Sequence, residues 1–285
     1  MNPLLTQISR GLAVLSLALS MGAIASSAAT NPLNNPRGLT VDAKGDLWVA
    51  NSGDNNVIAF TSGYKQITTD TITQGISNPT GVAFDPNGNL WVTNYGAGGS
   101  VTEYSPSLEQ NTGNTITSNI LGPEAIAIDG LGDIWVENDF INVTLYTNDY
   151  GTPGQYVRTY NPPGLNFVYG LATQGPWIAF GSPDGFEFQP IADYFISGAG
   201  PGADSNDAAF AMAMDSQDNI YMGLLNNQIV VGNIASYEFK TFATLPFTAT
   251  GIAIDNARGR VYISNQNGNE ILVYSTAGTL LHTIK

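Results

Sequence analysis

The sequence contains no cysteine and only one histidine, His282, among its 285 residues. Without cysteine the chain forms no disulfides, so its fold depends on packing alone. A metal site built from His and Cys is also excluded. His282 falls in the last predicted strand, which we expect at the outer edge of a sheet. The sequence therefore supplies no Ser–His or Cys–His pair for nucleophilic catalysis.

Basic residues are scarce as well. Nine Lys and Arg face 23 Asp and Glu, a formal net charge of -14 at pH 7. Proteins that bind nucleic acid need Lys and Arg to neutralise phosphates, so nucleic acid is excluded as a partner. Anionic membrane surfaces are excluded for the same reason. Such an acidic chain stays soluble outside the cell, and it also attracts cations.

Long apolar runs are absent except at the N-terminus. Residues 11–24 are rich in Leu and Ala, follow Arg10, and precede small-residue cleavage candidates. This run is shorter than the ~20 residues that span a bilayer, and its flanks are typical of a secretory signal peptide. The sequence predicts a signal peptide at residues 1–29, a single domain at residues 30–285, and a secreted or periplasmic location. An uncleaved anchor or a disordered tail is the alternative. After cleavage we expect no membrane insertion.

All four tryptophans occupy the same place in one repeated phrase. Residues 38–51 read GLTVDAKGDLWVAN, residues 81–94 read GVAFDPNGNLWVTN, and residues 125–138 read AIAIDGLGDIWVEN. Weaker copies surround Trp177, Tyr221 and Tyr262, and the aromatic positions recur every 41 to 44 residues. A repeat of this length indicates units that bury their apolar faces only against one another.

Each copy has the content of one propeller blade. Two short β-type runs flank an Asp-x-x-Gly turn, and a third and a fourth run follow. The sequence therefore predicts an all-β fold, a six-bladed β-propeller with four antiparallel strands per blade. The ring begins with a first strand and ends with a fourth, so no strand is exchanged to close it. Packing of blade six against blade one is expected to close the ring.

The phrase Pro-x-Gly-h-x-h-Asp-x-x-Gly-x-h-aromatic-Val-x-Asn (h, hydrophobic) at Pro36, Pro79 and, more loosely, Pro123 resembles the NHL-repeat family of β-propellers, in its exported bacterial form. The Gly-His and Trp-Asp signatures of WD40 propellers are missing. Similar propellers include streptogramin lyases and peptide-amidating lyases, which depend on histidines that this sequence cannot supply. Gluconolactonase-type propellers hold a metal with Glu, Asn and Asp. The same residue types are present here as Glu124, Asn94, Asn138 and Asp139, but their order and spacing do not match that family's.

Residues that break the repeat mark the candidate site. The position just before the first strand varies by blade and faces the channel mouth, together with the loop after the second strand. The recurring Asn of that loop is interpreted as a turn residue. Tyr169, Phe180, Phe210 and Leu224 form an apolar arc that either binds a ligand or belongs to the core. The predicted ligand-binding residues are Arg37, Thr80, Glu124, Tyr169, Phe210 and Thr250.

Blade three adds carboxylates to this face. Glu124, Glu137 and Asp139 can hold a hard cation such as Ca²⁺, which prefers oxygen ligands. Alternatively, they place a carboxyl of raised pKa beside Arg37. In the third alternative, Glu124 and Asp139 are solvated and Glu137 pairs with a neighbouring blade. The recurring turn aspartates also form a ring of carboxylates, on the opposite face. Their spacing is explained by turn capping.

Two functions remain open. The first is an exported, non-catalytic binding or scaffold propeller whose channel mouth takes an extracellular protein, peptide or glycan. The alternative is a metal-dependent lactonase or lyase that uses the blade-three carboxylates. We expect a monomer with no catalytic residues and no cofactor, apart from a possible Ca²⁺.

Overall fold

The computed structural model describes residues 30–96, 98–147, 154–160, 168–182, 185–191, 198–199 and 208–285. The predicted signal peptide lies outside these residues. Asn31–Lys285 form one compact unit. Within the described residues, no helix has the length and apolar character needed to cross a membrane.

The described residues form consecutive strands that pair with their sequence neighbours, one sheet per repeat. The first three sheets contain β1 (Pro36–Val41), β2 (Leu47–Asn51), β3 (Asn56–Phe60), β4 (Gln66–Ile72); β5 (Pro79–Phe84), β6 (Leu90–Asn94), β7 (Ser100–Tyr104); and β8 (Pro123–Ile128), β9 (Ile134–Asn138), β10 (Asn142–Thr147), β11 (Gln155–Tyr160). The last three contain β12 (Gly170–Gln174), β13 (Trp177–Ser182), β14 (Gly185–Pro190), β15 (Gly198–Ala199); β16 (Ala209–Met214), β17 (Asn219–Leu224), β18 (Gln228–Asn233), β19 (Glu238–Thr244); and β20 (Ile252–Asp255), β21 (Arg260–Asn265), β22 (Glu270–Ser275), β23 (Leu280–Ile284).

The six sheets close into a ring. The first strands β1, β5, β8, β12, β16 and β20 contact one another in chain order, and β20 returns to β1. All pairings within the sheets are antiparallel, and no described strand is exchanged between blades. The predicted six-bladed propeller is confirmed, and blade n denotes the sheet built from repeat n.

The prediction of four strands in every blade is wrong for blade two, whose sheet has three strands. Residues 110–116 follow β7 and pair with it at the isolated bridges Tyr104–Gln110 and Val101–Ile116, without forming a regular strand. The buried carboxylate of Glu103 on β7 accepts hydrogen bonds from the side chains of Asn111 and Asn114, at 2.9 and 2.6 Å. These side-chain bonds, with a 3₁₀ turn at Thr112–Asn114, replace a regular ladder.

In each of the first three blades, the repeated Asp accepts hydrogen bonds from its own turn and from the repeated Trp. We call this set of bonds the bracket. In blade three, Asp129 Oδ1 accepts the backbone N–H groups of Leu131 and Asp133 at 2.9 and 3.0 Å. Its Oδ2 accepts the Trp135 indole N–H at 3.1 Å. Asp42 and Asp85 make the same bonds to their own turns and tryptophans. The interpretation of these aspartates as turn-capping residues is confirmed.

The repeated aromatic side chains pack between blades. Six apolar clusters lie one at each seam between neighbouring blades, and each combines residues from both. Trp91 and Trp135 are fully buried in the seams that follow their own blades. The first strands also approach closely, since a Cβ on Gly251 would lie 2.2 Å from the Arg37 carbonyl oxygen. Glycine at this position therefore allows the blades to meet.

The seam between blades six and one is closed by side chains. The Arg260 guanidinium donates to the Ser62 carbonyl at 2.6 Å and lies 5.0 Å from the Tyr64 ring centroid. On the outer strand β23, His282 stacks on the same ring at 4.4 Å. Closure by packing of blade six on blade one is thus confirmed.

We expect Asp129→Ala to destabilise the fold by about 2–4 kcal/mol, because it leaves two backbone N–H groups and a buried indole N–H without their acceptor. The urea unfolding midpoint measures the loss. Gln174→Ala, at the equivalent position of blade four, is the matched control and should change stability by less than about 0.5 kcal/mol. Equal losses in the two variants would contradict the role of the bracket.

Candidate functional site

A β-bulge turns side chains toward the channel mouth. The register of first and second strands shifts between Pro79 and Gly81, and between Pro123 and Ala125. Thr80 and Glu124 are the extra residues. Similar shifts occur at Arg37 and at Phe210. Because a bulged residue leaves the hydrogen-bond ladder, its side chain is redirected. These four residues lie within their strands, which corrects the prediction that they precede them.

All six predicted ligand-binding residues line one cavity of about 820 Å³ at the channel mouth, which we call the cup. This volume is typical of small-ligand sites. The cup shares part of its lining, an apolar collar, with a second, smaller cavity. The collar consists of the residue at the same register position of each first strand: Leu39, Val82, Ile126, Leu171, Met212 and Ile252.

One wall of the cup is aromatic. The rings of Tyr169 and Phe210 stack with centroids 4.3 Å apart and planes 19° apart. Phe140 packs edge-on against Tyr169 at 5.2 Å and extends the wall toward blade three. All three rings are half-buried and line the cup. They therefore offer a contiguous apolar surface to a ligand.

The opposite wall carries an ion pair that crosses blade two. Arg37 of blade one donates from Nη2 to Glu124 Oε2 of blade three. Burial raises the pKa of Glu124, while the Arg37 charge and hydrogen bond oppose that rise. The pair is only partly exposed, so it holds one guanidinium and one carboxylate in fixed positions at the mouth.

In blades two and six, the positions of Arg37 and Glu124 are taken by Thr80 and Thr250, each of which pairs with a second hydroxyl. Thr80 Oγ1 lies 2.9 Å from Thr93 Oγ1 and donates to the Pro123 carbonyl of blade three at 2.6 Å. Thr250 Oγ1 pairs likewise with Ser264, whose hydroxyl donates to the Arg37 carbonyl at 2.8 Å. Thr80 and Thr250 border the cup, but their hydroxyls form hydrogen bonds to the neighbouring blade.

Blade three places a second carboxyl, Glu137, where blades two and six have Thr93 and Ser264. Glu137 is fully buried. Its Oε1 accepts the Phe140 backbone N–H, and its Oε2 has no hydrogen-bond partner. Burial raises the pKa of Glu137 well above its ordinary value, and the charges of Glu124 and Asp139 add to the rise. Glu137 does not line the cup but lies behind its wall.

The three predicted metal ligands are not gathered around the cup. Glu124 borders it, whereas Glu137 and Asp139 are absent from its lining. In the described part of the chain, no three His, Cys, Asp or Glu side chains are grouped to hold a metal ion. Asn94 and Asn138 each accept a backbone N–H through Oδ1, at 2.9 and 3.1 Å. The Ca²⁺ site stays a prediction from sequence.

Two members of the predicted apolar arc belong to the core. Phe180 is fully buried against Trp135 between blades three and four, and Leu224 is buried between blades four and five. Both lie within second strands, in which every residue after the first is buried. Sequence reasoning missed Phe140 and the loop residues Gln266, Asn267 and Gly268, which also line the cup. Phe140 was detectable, since it follows the repeated phrase without recurring.

The fold and the cup define a class: a six-bladed β-propeller whose candidate site is a cavity at one end of its channel. A family model described as NHL repeat matches residues 33–60, which confirms the resemblance seen in the sequence motifs. Those residues comprise most of blade one. No curated protein matches the chain.

Solved structures share the fold at low identity. Virginiamycin B lyase from Staphylococcus aureus is 14% identical with a TM-score of 0.62, covering 86% of this chain and 83% of that one. A gluconolactonase from Xanthomonas campestris is 13% identical with a TM-score of 0.63, covering 82% and 84%. Hydrazine synthase from Kuenenia stuttgartiensis is 15% identical with a TM-score of 0.59, covering 85% and 84%. At such identities the likeness extends to the fold alone.

Glu137→Gln should change the pH dependence of stability. The folded-state pKa of Glu137 is raised above the unfolded value of about 4.3, so the unfolded state releases its proton first as pH rises. The wild type therefore loses stability from about pH 4.3 up to the folded-state pKa, and the variant does not. We expect the Tm of the variant relative to wild type to increase across this window in thermal melts.

The matched control for these melts is Glu238→Gln on the exposed strand β19. Its difference from wild type should not follow the Glu137→Gln curve. A Glu137→Gln difference that is constant from about pH 4 to pH 8 would contradict a raised folded-state pKa.

Proposed function

We propose that the protein is an exported, non-catalytic binding or scaffold propeller that takes part of a protein, peptide or glycan ligand into the cup. One observation carries the proposal: the six residues that depart from the repeat border a single cavity. Repeated residues are explained by the fold that they build. Tyr169 and Phe210, in contrast, differ from their counterparts in the other blades, and the repeat does not require their rings to line that cavity.

The chemistry of the cup supports binding rather than catalysis. The sequence's only histidine, His282, lies on the outer strand β23, and the sequence has no cysteine. Thr80 and Thr250 commit their hydroxyls to the neighbouring blade. The aromatic wall and the ion pair instead offer contact area and fixed polar groups. These are the features by which small-ligand pockets orient their ligands.

The cellular setting belongs to the same proposal. A signal peptide at residues 1–29 would deliver the propeller to the periplasm or the exterior, where a net charge of -14 favours solubility. The shortage of Lys and Arg argues against nucleic acid and anionic membranes as partners. We propose a monomer, since each seam of the ring is already filled by its own blades.

A thermal-shift screen of the full chain tests the binding proposal. The probes are neutral oligosaccharides, charged oligosaccharides and short peptides with aromatic residues. A ligand at 100 times its Kd should stabilise the fold by ~2.7 kcal/mol and raise Tm. Phe210→Ala removes part of the aromatic wall and should abolish the shift. Tyr156→Ala, on the outer strand of blade three, is the matched control. A ligand whose shift survives Phe210→Ala binds elsewhere and contradicts the cup as the site.

The alternative function, a metal-dependent lactonase or lyase, requires a cation at the blade-three carboxylates. Arg37 already pairs with Glu124, and the Phe140 N–H already pairs with Glu137. We therefore expect thermal melts with EDTA and with added Ca²⁺ to coincide. A Ca²⁺-dependent rise in Tm that Glu124→Gln removes would instead favour the enzyme, and lactone and lyase substrates would then be the next assays.

A further inference from the structure

The cup combines its apolar and polar surfaces in a way that selects among ligand classes. Resting on the binding function proposed above, we infer that the ligand is a neutral glycan. A sugar ring would lie against Tyr169 and Phe210, and its hydroxyls would bond Arg37, Glu124 and Gln266. The inference stands on the aromatic wall, on unused hydrogen-bonding atoms, and on the charge balance of the lining.

The aromatic wall fits the apolar face of a sugar ring. Tyr169 and Phe210 are locked against each other at 4.3 Å, and Phe140 supports them from the side at 5.2 Å. A wall fixed in this way loses little conformational entropy when a flat ligand stacks on it. Pyranose rings present C–H groups on one face and hydroxyls around the rim. The C–H face would cover the rings, and the hydroxyls would point to the polar wall.

The polar wall holds donors and acceptors side by side. The ion pair uses only Arg37 Nη2 and Glu124 Oε2, and in the described structure neither Arg37 Nη1 nor Glu124 Oε1 makes another bond. Gln266 lines the cup, and its amide bonds no other described residue. A guanidinium donates, a carboxylate accepts, and an amide does both. A hydroxyl donates and accepts through one and the same oxygen, so the hydroxyls of a sugar satisfy this mixture.

Charge balance argues for a neutral ligand. Arg37 and Glu124 are the only charged side chains of the described cup lining, and they neutralise each other. An anionic ligand would meet the field of a chain with net charge -14. A cationic ligand would meet the Arg37 guanidinium beside Glu124, whose positive charge repels it. A neutral polar ligand binds without breaking the pair, and this favours a neutral glycan over a charged peptide.

Isothermal titration calorimetry of the full chain provides the test. The probes are the hexaoses of cellulose, xylan, starch and chitin, with oligogalacturonate and chitosan hexamer as the anionic and cationic counterparts. At least one neutral hexaose should bind, and more tightly than both charged probes. Tyr169→Ala should weaken that binding by about tenfold or more. Gln266→Ala should weaken it by about threefold or more without changing Tm. Tyr156→Ala, outside the cup, should leave it unchanged.

The outcomes separate this inference from the function on which it rests. Binding of an aromatic peptide but of no neutral hexaose, with sensitivity to Tyr169→Ala, would overturn the glycan inference and keep the cup as a binding site. Tighter binding of a charged probe would also overturn it. Binding of a hexaose that is insensitive to both Tyr169→Ala and Gln266→Ala would overturn the proposed pose and the cup together.

Discussion

Packing of aromatic side chains across the seams is the interaction on which the rest of the molecule depends. The chain has no cysteine, and none of the strands that the structure describes is exchanged between blades, so the six apolar clusters between the blades hold the ring together. A buried Trp removes about 150–250 Å² from water, which corresponds to roughly 4–6 kcal/mol. Trp91 and Trp135 are also anchored to their own turns by Asp85 and Asp129. Turn and seam are thereby built by the same pair of residues.

This arrangement leaves the six predicted ligand-binding residues outside the seam clusters. In blades one, two, three and five that residue lies in a bulge. Blades two and six place a hydroxyl at this position, which bonds the neighbouring blade. Blade three places an acid there that reaches Arg37, and blades four and five place aromatic rings there. One position of the repeat therefore supplies both bonds between blades and walls of the cup.

Much of the fold was predictable because its causes are local. The Asp-x-x-Gly turn, the aromatic seam residue and their spacing of 41 to 44 residues are all visible along the chain. The rim positions were predictable from strand geometry. The partnership of Arg37 with Glu124 was predicted only as one alternative to a cation site, because the two residues are 87 apart and meet across an intervening blade. The three-stranded sheet of blade two was not predictable either. It depends on a local network in which the Glu103 carboxylate accepts hydrogen bonds from two Asn side chains.

The apolar collar brings one side chain from every blade to the same level of the channel. Leu39, Val82 and their counterparts line both the cup and the second cavity. A substitution at any one of these positions therefore changes the shape of two cavities at once. At this level of the ring, the two ends of the channel cannot be varied independently.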